Sequence, residues 1–436
     1  MKRTLSFVVV VVTGLMHVGL AHDGDDEEAQ LRAGTSALRV WNDLALDAVR
    51  TARASDADAA RTYAMVNVAI FDAVNGVLAR GHFGRESALV HPAGAPAGAN
   101  LAAAVDGAAY AVLAALFPDQ AARFDAQLAA DKRALGHRVG VVAGLSWGNS
   151  VGTKVVVARA NDGARPVETV PPGSGPGIFR AAWSNAQFRN LAPFAIADAG
   201  PFVSPPPPAL TSAAYAAALA EVKILGNAAV PDPEALARFQ FWNLAAGTDQ
   251  PAGEWLKIAL EVSEARHVHF FDEMRLLALV TMALSDVVAP TFLSKLMYAH
   301  WRPATAINEA DTDGNPLTDA DPTWKPRAGG IGANPQHTSG HSAFSAAAAT
   351  VLAGFFCRDD IAFIHLDDGA PNGTPRAYTS FSAAAFEAGR SRVEGGLHFE
   401  FGDQAGLAAG RGVGAEVIAT ALLRKVGPTH FGSCPL

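Results

Sequence analysis

Arg392 and His398 lie six residues apart in the stretch SRVEGGLH (391–398), with two adjacent glycines between them. Glycine is poor inside a helix, and an apolar interior does not accept a lone cation, so the stretch reads as arranged around something. Two further segments concentrate cations and hydrogen-bond donors. In KLMYAHWRP (295–303), Lys295 and Arg302 are seven residues apart. That is two helical turns, so the spacing predicts that both project from one helix face, with Pro303 ending or kinking the helix just beyond. In HTSGH (337–341), the residues His337, Thr338, Ser339 and Gly340 read as a loop ending at a helix start, and SAFSAAAATVLAGFF as a buried helix. Free backbone N–H groups and the positive dipole end then point out beside Ser339, Gly340 and His341.

One Lys, two Arg, a Ser, a Gly and two His suit a tetrahedral oxyanion. Arginine forks onto pairs of oxygens, lysine supplies a point charge, and Ser and Gly N–H donate further hydrogen bonds. A neutral imidazole can attack phosphorus in such an anion, or bind a vanadium(V) centre. A second imidazole can give or take the proton at an anion oxygen. The glycines before His398 let backbone come close to the anion.

Helices must position these groups. Apolar residues recur at 3–4 spacing over 37–53 and 61–79, the second with apolar residues on most faces. Segments 99–117 and 124–136 read as an antiparallel pair broken at Pro118, and 139–162 as a further helix. Residues 163–211 hold PPGSGPG and SPPPPAL, which cannot continue a helix; so long a loop wraps a surface or covers a site. Helical patterns resume beyond it, through GEWLKIALEVSEARHVHFFDEMRLLALVTMALSDVVAP, which would place His267 and His269 on different sides of a helix. MVNVAIFDAVNGV (65–77) and LVTMALSDVVAPT (279–291) share a rhythm that hints at two similar helical bundles. No strand alternation is evident, and DTDGNP (311–316) reads as a turn, not a calcium loop.

The chain has 436 residues, half of them hydrophobic, enough to bury a large core. A formal net charge of -8 without a long basic stretch argues against a nucleic-acid partner. Lys2 and Arg3, an apolar run from Leu5 to Leu20, and Gly19 and Ala21 read as a signal peptide (1–21) cut after Ala21. A flexible acidic N-terminus (22–36) and one helical domain (37–436), with its oxyanion site in 260–425, would follow. No later segment reads as a membrane span, so the expectation is a soluble secreted or periplasmic protein. Its two cysteines, Cys357 and Cys434, could then pair or stay as thiols.

The pattern Lys-x6-Arg-Pro, Ser-Gly-His, Ser-Arg-x5-His resembles the signature of the type 2 phosphatidic acid phosphatase and vanadium haloperoxidase superfamily. FWNLAAGTDQPAGEWLKIALEV, AMVNVAIFDAVNG and HTSGHSAFSAAAATVLAGFF resemble its exported bacterial haloperoxidase-like members. The resemblance implies an all-α fold of two four-helix bundles packed together. It makes Lys295, Arg302 and Arg392 the clamps on the oxyanion, completed by Ser339 and Gly340. His341 becomes the acid/base, and His398 the vanadium ligand or the phosphatase nucleophile. The implied activity is a vanadium-dependent haloperoxidase, with vanadate as cofactor, hydrogen peroxide and halide as partners, and Lys295 acting electrostatically on bound peroxide. The alternative is a soluble exported acid phosphatase acting on phosphate esters, since phosphate fits the same site; a helical protein that merely captures phosphate is a third reading. A homo-oligomer is compatible with either enzyme. The sequence departs from the family pattern at Thr338, where a proline is usual, and at Asn334, seven before His341, where characterised algal and fungal members carry a His or an aromatic. Asp403 stands five residues after His398, with Gly402 at the fourth position, where an aspartate is frequent.

Overall fold

The computed structural model describes residues 17–78, 84–91, 94–368 and 373–425. The first bundle consists of α1 (His17–Ala52), α2 (Asp56–Leu78), α3 (Leu101–Leu116) and α5 (Val141–Ala158), with α4 (Ala121–Leu135) bent away from α3 by 118° at Pro118. An irregular stretch and α6 (Ala213–Leu225) and α7 (Pro233–Phe241) lead to the second bundle. That bundle is built from α8 (Gln250–Ala265), α9 (Phe270–Asp286), α12 (Gly340–Phe356) and α14 (Glu400–Thr420). The short α10 (Val288–Tyr298) and α11 (Pro303–Asn308) precede α12, and α13 (Phe381–Glu394) lies between α12 and α14. The bundles meet chiefly through α2 and α9, both almost wholly buried. The expected two-bundle all-α architecture is therefore present.

The echo between 65–77 and 279–291 reflects a structural repeat. Asp72 in α2 accepts hydrogen bonds from the N–H groups of Ala88, Leu89 and Val90 at 2.7, 3.0 and 2.9 Å. Asp286 in α9 accepts from those of Phe194, Ala195 and Ile196 at 2.6, 2.7 and 3.0 Å. Burial pushes each carboxyl up to about 6, and the three donors oppose that rise. Each thus ties an irregular segment to the helix at the bundle interface.

The repeat extends to packing. Gly144, Gly148 and Gly152 line α5 four residues apart, and a Cβ at each would collide with a carbonyl of Asn100, Ala104 or Ala108. Gly406, Gly410 and Gly414 line α14 in the same way against the carbonyls of Ser339, Ala343 and Ala347. The matched caps are Asn100, whose side chain accepts from Ala103 N–H, and Ser339, whose side chain accepts from Ser342 N–H. Gly410→Ala should lower stability by about 1–3 kcal/mol by forcing α14 off α12, which urea denaturation would measure.

Several expectations need correction. Residues 22–36 were expected to be flexible but continue as part of α1. Glu27, Glu28, Ala29, Gln30, Leu31 and Arg32 are good helix formers with no proline among them, and Arg32 pairs with Glu28 one turn away. The 253–290 pattern is broken twice: His267, with φ of 53°, turns the chain between α8 and α9, and Val287 separates α9 from α10; His267 and His269 are linker residues. Two antiparallel hairpins also occur. β1 (Thr169–Val170) pairs with β2 (Trp183–Ser184), and β3 (Phe363–His365) with β4 (Arg376–Tyr378). They are too short to show alternation. The apolar stretch Phe270–Tyr298 is long enough to cross a membrane by length and composition, but it is buried in the core. Cys357 is disulfide-bonded. Cys434 and residues 1–16 of the expected signal peptide lie outside the described residues.

Candidate active site

Lys295 and Arg302 converge, but by a different route from the one the spacing suggests. The helix carrying Lys295 stops at Tyr298, Ala299 adopts a left-handed conformation with φ of 42°, and Arg302 is the N-cap of α11 with Pro303 at its first position. The irregular stretch pins this break. Trp301 N–H donates to Gly177 O at 2.9 Å, and Phe179 N–H donates to Ala299 O at 2.7 Å. The proline run lies over the same region: Tyr298 OH donates to Ser204 O at 2.9 Å, and His337 Nε2 bonds Pro205 O at 2.9 Å. The long loop thus shapes the site, as its length led us to expect.

Three cations line the centre. Lys295 Nζ donates to Pro335 O at 2.6 Å. Arg302 donates from Nε to Asn334 O at 2.7 Å, from Nη2 to Asn334 Oδ1 at 2.9 Å, and from Nη1 to Leu397 O and His398 Nε2, both at 2.8 Å. Arg392 reaches Asn243 Oδ1 with both terminal nitrogens at 3.4 Å and lies 4.9 Å over the Phe239 ring. All three side chains are buried, and none of these partners is a carboxylate. Burial pushes Arg302 and Arg392 down to about 9, with Arg392 adding to the effect on Arg302. Burial, then Arg302, pushes Lys295 well below its ordinary value, and Asp56 at the start of α2 pulls it back up. The Nε of Arg392 is buried without a hydrogen-bond partner. Such a cluster is costly unless an anion completes it.

The remaining predicted residues gather around it. Ser339 caps α12, so the N–H groups of Gly340 and His341 stand at the positive end of that helix. Thr338, in the usual proline position, fastens the loop differently: its hydroxyl and Ser339 N–H both donate to Gly402 O, at 2.9 and 3.0 Å. His341 is half-buried and its Nε2 bonds Asn243 O at 3.2 Å, which leaves Nδ1 as the acceptor. His398 follows Gly396, whose φ is 76°, and is buried. Burial and then Arg392 push His341 well below the ordinary imidazole range; burial, Arg302 and Lys295 do the same to His398. Both rings are therefore neutral. Asp403 makes no hydrogen bond to His398: its Oδ1 accepts from Ser342 Oγ at 2.6 Å, and burial pushes it up to about 7.

Sequence reasoning missed three contributors. Asn243 bridges His341 and Arg392, Gln336 faces His398 Nδ1, and Asp56 faces Lys295 across the bundle boundary. Asn334 was noted as a departure but not as the group that holds Arg302. A cleft of about 1000 Å³, lined by Arg53, Asp56, Arg61, Phe117, Arg165 and Asn334 among others, borders this cluster through Asn334 and Asp56.

Buried imidazoles beside the site carry a pH signature. Burial is the main cause that pushes His337 down to about 4, against an unfolded value near 6.5. Between those values the unfolded chain binds more protons here, so this group's contribution to stability falls as pH falls through the window. Buried carboxylates that are pushed up act in the opposite sense, so a difference measurement is needed. The stability of His337→Gln relative to the unaltered protein should improve on going from pH 7 to pH 5, as read by urea denaturation; an unchanged difference would contradict it.

A mainly helical two-bundle fold with a cluster of buried cations and histidines in its second bundle defines the class. Residues 275–424 match the family model for the VCPO second helical-bundle domain. Among solved structures, the chain is similar to a bacterial vanadium-dependent iodoperoxidase, with a TM-score of 0.76 and 23% identity over 88% of this chain and 96% of that one. It is also similar to a holo-type bacterial vanadium-dependent chloroperoxidase, with a TM-score of 0.61 and 16% identity over 84% of this chain and 92% of that one. No curated protein matches significantly in sequence. The chain carries the vanadium haloperoxidase fold.

Proposed function

We propose that the protein is a vanadium-dependent haloperoxidase that oxidises halide with hydrogen peroxide at a vanadate held by His398. The observation that carries this is the burial of Lys295, Arg302 and Arg392 around the acceptor nitrogen of His398, with no carboxylate among their hydrogen-bond partners. The unsatisfied Nε of Arg392 supports the fit of an oxyanion there. Vanadate, when bound, supplies a Lewis-acidic centre that activates peroxide toward halide. The chain's own residues do the rest. His398 Nε2 offers its lone pair to the central atom. Arg392, with its Nε unpartnered, would fork onto the anion oxygens, Arg302 would add its charge and its remaining N–H, and Ser339 and Gly340 would add hydrogen bonds. His341, neutral at the start of α12, would hold or release a proton at its Nδ1 as peroxide binds. Lys295 stabilises negative charge that develops there. The relatives with the same fold are named as an iodoperoxidase and a chloroperoxidase, which supports the halide reading.

Phosphate fits the same cradle, so phosphatase activity is the competing outcome. The test is one purified preparation, with and without orthovanadate, assayed for peroxide-dependent halogenation and for phosphate ester hydrolysis. Vanadate-dependent halogenation supports the proposal. Ester hydrolysis that vanadate inhibits, without halogenation, overturns it.

A further inference from the structure

The lone pair that His398 presents to the cradle depends on which ring nitrogen carries the proton. Arg302 has donors and no acceptor, so Nε2 of His398, 2.8 Å from Arg302 Nη1, is the ring's acceptor. The proton then sits on Nδ1, which faces Gln336 Oε1 at 3.3 Å. The opposite amide orientation would set a donor against each nitrogen of a neutral ring, and one pair would repel. Arg302 and Gln336 together thus admit one tautomer.

Gln336 is itself fixed by its backbone and by close packing. It is fully buried, and its N–H donates to His300 O at 3.0 Å. Its amide nitrogen lies 3.5 Å from His300 Nδ1, which donates instead to Trp301 O at 3.1 Å and so does not anchor the amide. Gly402 packs against the amide so closely that any Cβ at that position would overlap Oε1. The amide also differs from a carboxylate in a way that suits the site: it accepts the ring proton without placing a second negative charge behind an anion-binding histidine. We infer that Gln336 is the positioning residue that fixes the tautomer and orientation of His398, so that Nε2 presents its lone pair to the oxyanion. The inference rests on the role proposed above for His398.

The wild-type protein without vanadate gives the first test, from the ring ¹⁵N shifts of His398. A proton on Nδ1 is expected; a proton on Nε2 would overturn the inference without any variant. Gln336→Met keeps the volume and removes the acceptor. It should raise the orthovanadate Kd by about 10- to 100-fold, as for other partners of ligating histidines, and should disperse the His398 tautomer. Gln336→Glu restores an acceptor and should restore the Nδ1–H signature. Unchanged affinity and unchanged ¹⁵N shifts in a folded Gln336→Met protein would sink the idea. His398→Ala run alongside separates the two failures. If it loses orthovanadate while Gln336→Met does not, this inference alone fails; if it retains orthovanadate, the proposed role of His398 fails first.

Discussion

His398→Ala is expected to abolish turnover and release orthovanadate, whereas His341→Ala should retain orthovanadate and turn over about 10²–10⁴-fold more slowly. The two histidines stand in different surroundings. His398 is buried behind Gly396 with Nε2 directed at Arg302, so its lone pair is aimed into the cationic cradle. His341 begins α12, is half-buried, and uses Nε2 on a backbone carbonyl, which leaves Nδ1 to handle a proton. Loss of a ligand removes the anion's anchor; loss of a proton carrier leaves the anchor and slows the chemistry. Burial and the neighbouring cations push both rings well below the ordinary imidazole range, which favours their neutral forms. Vanadium content after dialysis, measured beside turnover, decides the matter. If His341→Ala loses vanadium while His398→Ala keeps it, the roles are reversed, and full activity in both would place the chemistry elsewhere.

Much of this was legible because helices and caps are local. The three segments carrying Lys295, Ser339 to His341, and Arg392 to His398 could be read from residue type and spacing, and α12 starts at Gly340 as its sequence implies. The Asp72 and Asp286 echo was visible as a rhythm, though its meaning was not: each carboxylate gathers three N–H donors from a segment remote in sequence. The convergence of Lys295 and Arg302 was anticipated for a wrong reason. Two turns of one helix would align them, but the chain instead breaks at Ala299 and is held there by Gly177 and Phe179, more than a hundred residues earlier. Gln336 and Asn243 escaped notice because an amide carries no charge pattern, and their partners are 62 and 149 residues distant. Gly402 was read as a departure from the family pattern; in the fold its missing side chain makes room for the amide of Gln336.

Arg302→Ala and Arg392→Ala should each weaken orthovanadate and phosphate binding by about 2–5 kcal/mol, because each removes a desolvated charge and leaves the anion underpaired. Their effects on the ligand-free protein should differ. Arg302 satisfies Asn334 O, Asn334 Oδ1 and Leu397 O, and Gly332 packs against its guanidinium. Its removal strands those acceptors and opens the turn, so Arg302→Ala should also lower the melting temperature without ligand. Arg302→Lys should be harmful as well, since an ammonium cannot reproduce the planar fork. Arg392 has two long contacts to one Asn243 oxygen and an unpartnered Nε, so its buried charge is poorly offset until an anion arrives. Arg392→Ala should therefore leave the ligand-free melting temperature unchanged or raised while affinity falls. Calorimetric titration with orthovanadate and with phosphate, set beside ligand-free melts, reads both effects. A large loss of ligand-free stability in Arg392→Ala with unchanged affinity would mean that this arginine serves the fold and not the anion.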